Sequence, residues 1–189
     1  MDNMTGEAGT SSPRRLNPVV ILVAFGVLIG FLALIAWGLN RSMRGPIVVG
    51  DQVPEIQMVT FDGKAIRTSD YAGKVIVLNF WASWCKPCEQ EAADLEAAYQ
   101  SMKESGDVVF IGLAYVDTEP NSLAYLTKFG ITYPNGPDLR TTVSQMFRIR
   151  GVPETYVIGP TGKLAYAMIG PFESTQQIVN IINQAKNSK

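Results

Sequence analysis

Two cysteines and one acidic residue provide the chemistry that this sequence indicates. Cys85 and Cys88 are separated by two residues, and Glu91 follows three residues after Cys88. Thiols at this spacing can close and reopen a disulfide, and a carboxylate one helical turn away can move protons for them. The chain has 2 Cys and 0 His, so it cannot complete a zinc site alone, because such a site needs about four ligands. We therefore predict redox chemistry and no metal.

The residues on either side of the cysteines predict a strand followed by a helix. Residues 75–78 form an apolar run typical of a buried strand. After Cys88, apolar side chains recur at helical spacing at Ala92, Leu95, Tyr99 and Met102. The cysteines therefore lie where a helix begins, and its free N–H groups and dipole stabilise a thiolate there. We expect Cys85 to attack and Cys88 to resolve, with Lys86 adding positive charge and Pro87 fitting an early helical position.

Two segments resemble a known family. Residues 79–88, Asn-Phe-Trp-Ala-Ser-Trp-Cys-Lys-Pro-Cys, resemble the thioredoxin active-site segment. Residues 151–156, Gly-Val-Pro-Glu-Thr-Tyr, resemble the loop that carries a cis-proline facing the redox cysteines in that fold. The surrounding sequence is most similar to the membrane-anchored, TlpA-like branch, which includes ResA and the CcmG (DsbE) proteins of cytochrome c maturation. The resemblance extends from Gly50 to the C-terminus.

The resemblance implies a substrate-binding surface around the cysteines. A cis Val152–Pro153 bond would present the Val152 backbone to an extended substrate segment. We expect Trp84 to be exposed against the substrate, whereas Trp81 packs in the core. Glu154 either shapes the preference for substrate charge or is a plain surface residue. The predicted substrate-binding residues are Trp84, Lys86, Pro87, Val152, Pro153 and Glu154.

The family carries a functional glutamate at the position of Glu91. Near the buried thiol, Glu91 would manage protons during exchange, and its charge would oppose thiolate formation. The alternative is a solvated glutamate on the helix face, which is also how we interpret Glu89. Asn79 departs from thioredoxin, where a buried aspartate usually serves in proton transfer. Asparagine cannot titrate, so Glu91 would take over that task.

The remaining pattern predicts the fold. An Asp-Gly turn predicts an N-terminal hairpin, and a capping-box pattern at Ser174–Gln177 begins a terminal helix. Between them we expect a parallel strand, two helices and a second hairpin, at residues 107–116, 121–129, 141–147, 155–158 and 164–169. This order predicts an α/β protein with the thioredoxin fold, a mixed central sheet with helices on both faces. The domain occupies residues 51–189.

The N-terminal part predicts a membrane anchor. Residues 1–17 are polar and are interpreted as a disordered tail, and residues 40–50 as a linker. Residues 18–39 carry no charge and would form a transmembrane helix about 33 Å long. A cleaved signal peptide has a shorter apolar core of about 7–15 residues. Gly26 and Gly30 have the spacing of a helix-dimer motif, although such a pair is more often incidental.

The location follows from the resemblance, because arginines flank both ends of the apolar run and leave its orientation open. The resemblance places a single-pass protein in a bacterial cell membrane with the redox domain outside the cytoplasm. It also implies an electron donor of the CcdA or DsbD type in the membrane. The formal net charge of −1 does not indicate nucleic-acid binding.

The predicted function is that of a protein-disulfide reductase whose only redox group is the Cys85–Cys88 disulfide, without a cofactor. The Lys-Pro pair between the cysteines and the charge of Glu91 favour a reducing potential. The resemblance implies apocytochrome c as substrate. A general thiol reductase or isomerase remains open, as does a non-enzymatic anchored binding module. A peroxidase of the peroxiredoxin kind is not indicated, because the chain has no Thr-x-x-x-Cys segment.

Overall fold

The computed structural model describes residues 17–42 and 46–187. The predicted N-terminal tail lies outside the described residues except for Asn17, as does part of the predicted linker. The chain divides into two units after Gly45, and each is described by itself.

The first unit contains one long helix, α1, over Pro18–Ser42. The side chain of Asn17 accepts a hydrogen bond from the Val19 N–H at 3.1 Å and so satisfies one free donor at the helix start. The stretch Pro18–Gly38 has a mean hydropathy of 3.1, which makes it long and apolar enough to cross a membrane. A signal sequence near the N-terminus passes the same test of length and composition. The helix continues three residues beyond the predicted end at residue 39, into the predicted linker.

The second unit contains two sheets and four α-helices within residues 46–187. In chain order its elements are β1 (Gln57–Val59), β2 (Ala65–Arg67), β3 (Val75–Trp81), α2 (Lys86–Met102), β4 (Val108–Ala114), α3 (Glu119–Phe129), β5 (Asn135–Pro137), α4 (Thr142–Phe147), β6 (Glu154–Ile158), β7 (Leu164–Ile169) and α5 (Thr175–Lys186). The hairpin β1–β2 forms its own small sheet.

The central sheet has the strand order β5-β4-β3-β6-β7. Strands β3, β4 and β5 are parallel, whereas β6 and β7 are antiparallel to their neighbours. All residues of β3 are buried, because the strand lies at the centre and both faces are covered. The predicted mixed sheet and the N-terminal hairpin are confirmed.

Alternate side chains of β3 enter two different cores, as the period of a strand requires. Val75 and Val77 pack in one core with side chains of α2 and α5. Ile76, Leu78 and Phe80 pack in the other, beneath α4 and the hairpin. Helices therefore cover both faces of the sheet, as predicted.

Element boundaries differ from the prediction by one or two residues in several places. Helix α3 begins at Glu119 rather than at residue 121, and β6 begins at Glu154 rather than at residue 155. The helix predicted from Thr141 begins at Thr142, because Arg140 and Thr141 have positive φ angles of 55° and 53°. These positions lie outside the helical region of φ and ψ, and no glycine or proline in the segment signals them.

Candidate active site

Cys85 and Cys88 form a disulfide at the N-terminus of α2, with an S–S distance of 2.06 Å. Cys85 is the N-cap residue, and its Sγ accepts a hydrogen bond from the Cys88 N–H at 3.1 Å. The sulfur that would become the attacking thiolate therefore already faces a free donor of the helix terminus. The predicted position between a buried strand and a helix is confirmed, whereas the roles of the two sulfurs stay predictions.

The turn before Cys85 is held by residues that the sequence did not indicate. Asp117, which follows β4, accepts hydrogen bonds from the Ser83 N–H at 2.6 Å and from the Ser83 hydroxyl at 2.9 Å. Tyr125 of α3 stacks on Trp81 at 4.5 Å and donates its hydroxyl to the Cys88 carbonyl at 2.9 Å. Trp81 is 2% exposed, so the prediction that it packs in the core is confirmed.

The peptide bond between Val152 and Pro153 is cis, as predicted. The Val152 carbonyl oxygen lies 3.4 Å from Cys85 Sγ, so the loop before β6 is in contact with the disulfide. Val152 is partly exposed, whereas Pro153 is buried. A substrate strand that reached Cys85 would pass directly beside the Val152 backbone, which is the arrangement that strand addition requires.

Glu154 is placed differently from both interpretations of the sequence. It is 2% exposed, so it is neither a surface residue nor available to a substrate charge. Its Oε1 accepts hydrogen bonds from the N–H groups of Arg150 at 2.7 Å and Gly151 at 3.3 Å. Its Oε2 accepts the Tyr156 hydroxyl at 2.6 Å. A buried carboxylate requires such partners, and here the backbone of its own loop supplies two of them.

Glu91 is buried, at 1% exposure, so the alternative of a solvated helix-face residue is wrong. Its Oε1 accepts a hydrogen bond from Asn79 Nδ2 at 3.0 Å, and its Oε2 accepts the Phe172 N–H at 2.9 Å. Burial raises the pKa of Glu91 to about 7, although the two hydrogen bonds oppose this shift. Near neutral pH the carboxyl group can therefore both hold and release a proton.

Asn79 joins Glu91 to the proline loop. Its Nδ2 donates to Glu91 and also to Thr155 Oγ1 at 2.9 Å, and Thr155 lies two residues after Pro153. Asn79 lies in β3 and Thr155 in β6, and the two residues pair directly across these neighbouring strands. The asparagine thus uses both amide hydrogens, which an aspartate at this position would lack.

The rim of the site is formed by Trp84, Lys86 and Pro87. Trp84 is 58% exposed, as predicted, and its indole N–H donates to the Val116 carbonyl at 3.1 Å. Lys86 is exposed but pairs with Glu89 at 3.2 Å, and Lys128 pairs with the same carboxylate at 3.3 Å. Glu89 is therefore an ion-pair partner rather than only a solvated residue, and it offsets part of the charge that Lys86 would direct to Cys85. Pro87 lies exposed in the first turn of α2.

Metal ligation has no support in the part of the chain that the structure describes. There, no three His, Cys, Asp or Glu side chains come together as a metal site. The chemistry that the arrangement does offer is thiol–disulfide exchange next to a proton-holding carboxyl group.

The chain matches a family model described as the AhpC/TSA family over residues 49–167. The thiol-disulfide oxidoreductase ResA of Bacillus thuringiensis (strain Al Hakam) is 27% identical over 157 residues, covering 83% of this chain and 88% of the relative. A solved thiol:disulfide interchange protein of the thioredoxin family from Chlorobium tepidum TLS is 27% identical with a TM-score of 0.63, covering 75% of this chain and 97% of the other.

A second solved structure, a putative protein disulfide isomerase from Bacteroides thetaiotaomicron, has a TM-score of 0.68 at 27% identity and covers 75% of this chain and 92% of its own. These likenesses confirm the thioredoxin fold. Because the family model covers more than half of the sequence, the chain belongs to the AhpC/TSA family, and it carries the site of a thiol-disulfide oxidoreductase similar to ResA.

Proposed function

We propose that this protein reduces disulfide bonds in proteins outside the cytoplasm while α1 anchors it in the cell membrane. The observation that carries the proposal is the buried Glu91, which lies one helical turn after Cys88 and titrates near neutral pH. A carboxyl group of this kind serves a step in which a buried thiol must lose a proton. Exposed Trp84 and the Val152 backbone supply a surface for a protein substrate.

The reaction begins with both cysteines reduced. The Cys85 thiolate attacks one sulfur of the substrate disulfide, which breaks that bond and forms a mixed disulfide, and the released substrate thiolate takes up a proton. Cys88 then transfers its thiol proton to the Glu91 carboxylate and attacks Cys85. The Cys85–Cys88 bond forms, and the second substrate thiolate leaves and is protonated. The substrate gains two electrons from this protein and two protons, one of which leaves Cys88 through Glu91 while the other comes from solvent.

The direction of electron flow rests on Glu91. A carboxylate next to the thiols disfavours the reduced thiolate, which is the form that strongly oxidising proteins of this fold stabilise. The protein is therefore a reductant and needs electrons from across the membrane. We propose a membrane donor of the CcdA or DsbD type, and the C-x-x-C-H disulfide of apocytochrome c as substrate, as the resemblance of residues 79–88 and 151–156 implies.

Trapping the mixed disulfide tests the substrate. In cells that express the full chain with Cys88→Ser, the mixed disulfide cannot resolve and should accumulate through Cys85. Mass spectrometry of the trapped proteins should find apocytochrome c, and Cys85→Ser/Cys88→Ser should trap nothing. Trapped proteins without a C-x-x-C-H segment would indicate a general reductase or isomerase instead.

Reduction of insulin by dithiothreitol tests the activity itself. The full chain in detergent micelles should accelerate the reaction, and Cys85→Ser should abolish the acceleration. An equal rate of insulin reduction with and without Cys85 would indicate that the protein is a non-enzymatic binding module with the thioredoxin fold. Fractionation of cells that express the chain tests the anchor, because the domain should remain with the membranes after a high-salt wash.

A further inference from the structure

The loop that carries the cis-proline is tied to the strand that follows it. Glu154 is the first residue of β6, and its backbone pairs with Phe80 of β3. Its side chain turns back to the loop, where Oε1 accepts the N–H groups of Arg150 at 2.7 Å and Gly151 at 3.3 Å. The start of the loop is thereby fixed to a strand at the centre of the sheet.

The second oxygen of Glu154 is fixed by the core. Tyr156 donates its hydroxyl to Oε2 at 2.6 Å, and its ring packs against Phe147 at 4.6 Å and Phe80 at 5.9 Å. Burial and the hydrogen bond to Glu154 raise the pKa of Tyr156, so the hydroxyl keeps its proton and acts as a donor. The carboxylate therefore cannot rotate away from the loop without losing a buried partner.

We propose that Glu154 is a positioning residue, which holds residues 150–153 so that the Val152 backbone meets the substrate beside Cys85. Strand β3 leads directly to the turn before Cys85, and Glu154 pairs with that same strand. The carboxylate thus fixes the loop to β3, the same strand that leads to the disulfide. The Val152 carbonyl oxygen lies 3.4 Å from Cys85 Sγ. This inference rests on the proposed function, since it assigns how the reductase receives its substrate.

The hydrogen-bond pattern distinguishes this role from a direct contact with substrate charge. The two N–H groups converge on one oxygen, and glutamine retains that oxygen while losing the charge. Glu154→Gln should therefore keep the loop in place. Glu154→Ala leaves both N–H groups and the Tyr156 hydroxyl without their acceptor, and the loop loses its position.

Asp138 offers a matched control. It is another buried carboxylate, at 7% exposure, whose two oxygens accept the N–H groups of Val143 and Ser144 at 2.9 Å each. It caps the start of α4, so its two side-chain hydrogen bonds hold that helix and not residues 150–153. Asp138→Ala therefore removes an equivalent pair of hydrogen bonds without releasing residues 150–153.

Insulin reduction by the full chain in detergent micelles tests the proposal. For Glu154→Ala we expect KM to rise about tenfold, because a buried hydrogen bond to a charged group is worth roughly that factor or more. KM should change less than about twofold in Glu154→Gln and Asp138→Ala. Alkylation of reduced Cys85 by iodoacetamide, which needs no loop, should stay within about twofold in all three variants.

Three results would overturn the proposal. These are an unchanged KM in Glu154→Ala, an equal rise in Glu154→Gln, or an equal rise in Asp138→Ala. Hydrogen exchange gives a readout that needs no activity, because the Arg150 and Gly151 amides should exchange faster in Glu154→Ala and not in Asp138→Ala. If the wild-type protein does not reduce insulin, the proposed function fails, and the exchange of these two amides still decides whether Glu154 holds the loop.

Discussion

Two buried glutamates belong to the elements that form the site, Glu91 to the helix that begins at the disulfide and Glu154 to the strand that follows the proline loop. On the helix side, Glu91 has one side-chain donor, Asn79, and one backbone donor, Phe172, and burial raises its pKa to about 7. On the loop side, Glu154 has three donors, two from its own loop and one from Tyr156. Both carboxylates are about equally inaccessible, at 1% and 2% exposure.

The difference shows that burial alone does not assign a role to a carboxyl group. Glu91 is held by residues far away in the sequence, on β3 and before α5, and its proton is available for exchange near neutral pH. Glu154 is held by neighbours within four residues, so its hydrogen bonds define the shape of one loop. We expect chemistry on the helix side and positioning on the loop side, and substitutions on each side should separate the two.

The largest effect should come from adding a second acid on the helix side. Asn79→Asp removes both donors that Asn79 gives to Glu91 and Thr155 and places two carboxyl groups in contact. At pH 8 we expect the free energy of unfolding to fall by about 4 kcal/mol, because a buried charge loses its partner. At pH 5 the loss should be smaller, since a shared proton can replace the lost hydrogen bond. Urea titrations of the oxidised full chain in detergent, followed by tryptophan fluorescence, measure both values.

The double variant Asn79→Asp/Glu91→Gln is the control for this prediction. It restores one amide and one carboxylate in exchanged positions, so a donor again faces an acceptor. Its stability at pH 8 should exceed that of Asn79→Asp alone. A double variant no more stable than the single one would show that the lost stability does not come from the two acids.

On the loop side, Glu154→Ala should reduce stability by about 3 kcal/mol at pH 7, because three buried or partly buried donors lose their acceptor. Glu154→Gln should recover most of this loss, since one oxygen still accepts both backbone N–H groups. The same urea titration measures both variants. A loss in Glu154→Gln as large as in Glu154→Ala would contradict the view that the acceptor geometry, rather than the charge, holds the loop.

The next prediction concerns the pH dependence that Glu91 imposes. Its pKa is raised from 4.5 to about 7 in the folded protein, so the folded state keeps a proton that the unfolded chain releases. Wild-type stability should therefore fall as the pH rises from about 4.5 to about 7, by about 3 kcal/mol in total. Above pH 7 this decrease should end. Urea midpoints at half-unit pH intervals would show the slope.

Glu91→Gln should remove most of that slope. The structure tolerates glutamine here because Asn79 can turn its amide, so that its oxygen faces both the new amide and the Thr155 hydroxyl. Removal of the carboxylate should also shift the pH profile of Cys85 alkylation in the reduced protein to lower pH, since a negative charge no longer opposes the thiolate. Identical alkylation profiles for the two proteins would exclude Glu91 from the proton chemistry.

Local patterns in the sequence were sufficient for the disulfide and its surrounding elements. The apolar run before Cys85 and the helical spacing after Cys88 are properties of adjacent residues, and the structure contains β3 and α2 there. The cis bond before Pro153 followed from the resemblance of its loop, not from residue preferences, since few X–Pro bonds are cis.

The partners of the two glutamates could not be predicted in the same way. The Phe172 N–H donates to Glu91 although the two residues are 81 positions apart in the sequence. Every residue type except proline has a backbone N–H, so the residue type does not indicate this donor. Both interpretations of Glu154, contact with substrate charge and a plain surface residue, are wrong, because its burial depends on the path of the loop, which the residue type does not show. The positive φ of Arg140 likewise belongs to a tertiary arrangement rather than to its residue type.

The smallest expected effect comes from the hydrogen bond between Tyr156 and Glu154, which can be removed without removing the bonds from the loop N–H groups to Glu154. Tyr156→Phe removes one hydroxyl donor at 2.6 Å but keeps the ring contacts with Phe80 and Phe147. We expect a loss of about 1 kcal/mol in the free energy of unfolding, typical of one buried hydrogen bond. The KM for insulin should stay close to the wild-type value, because both loop N–H groups keep their acceptor. If KM instead rose as far as in Glu154→Ala, the tyrosine would fix the orientation of the carboxylate, and the loop side would depend on the core rather than on its own backbone.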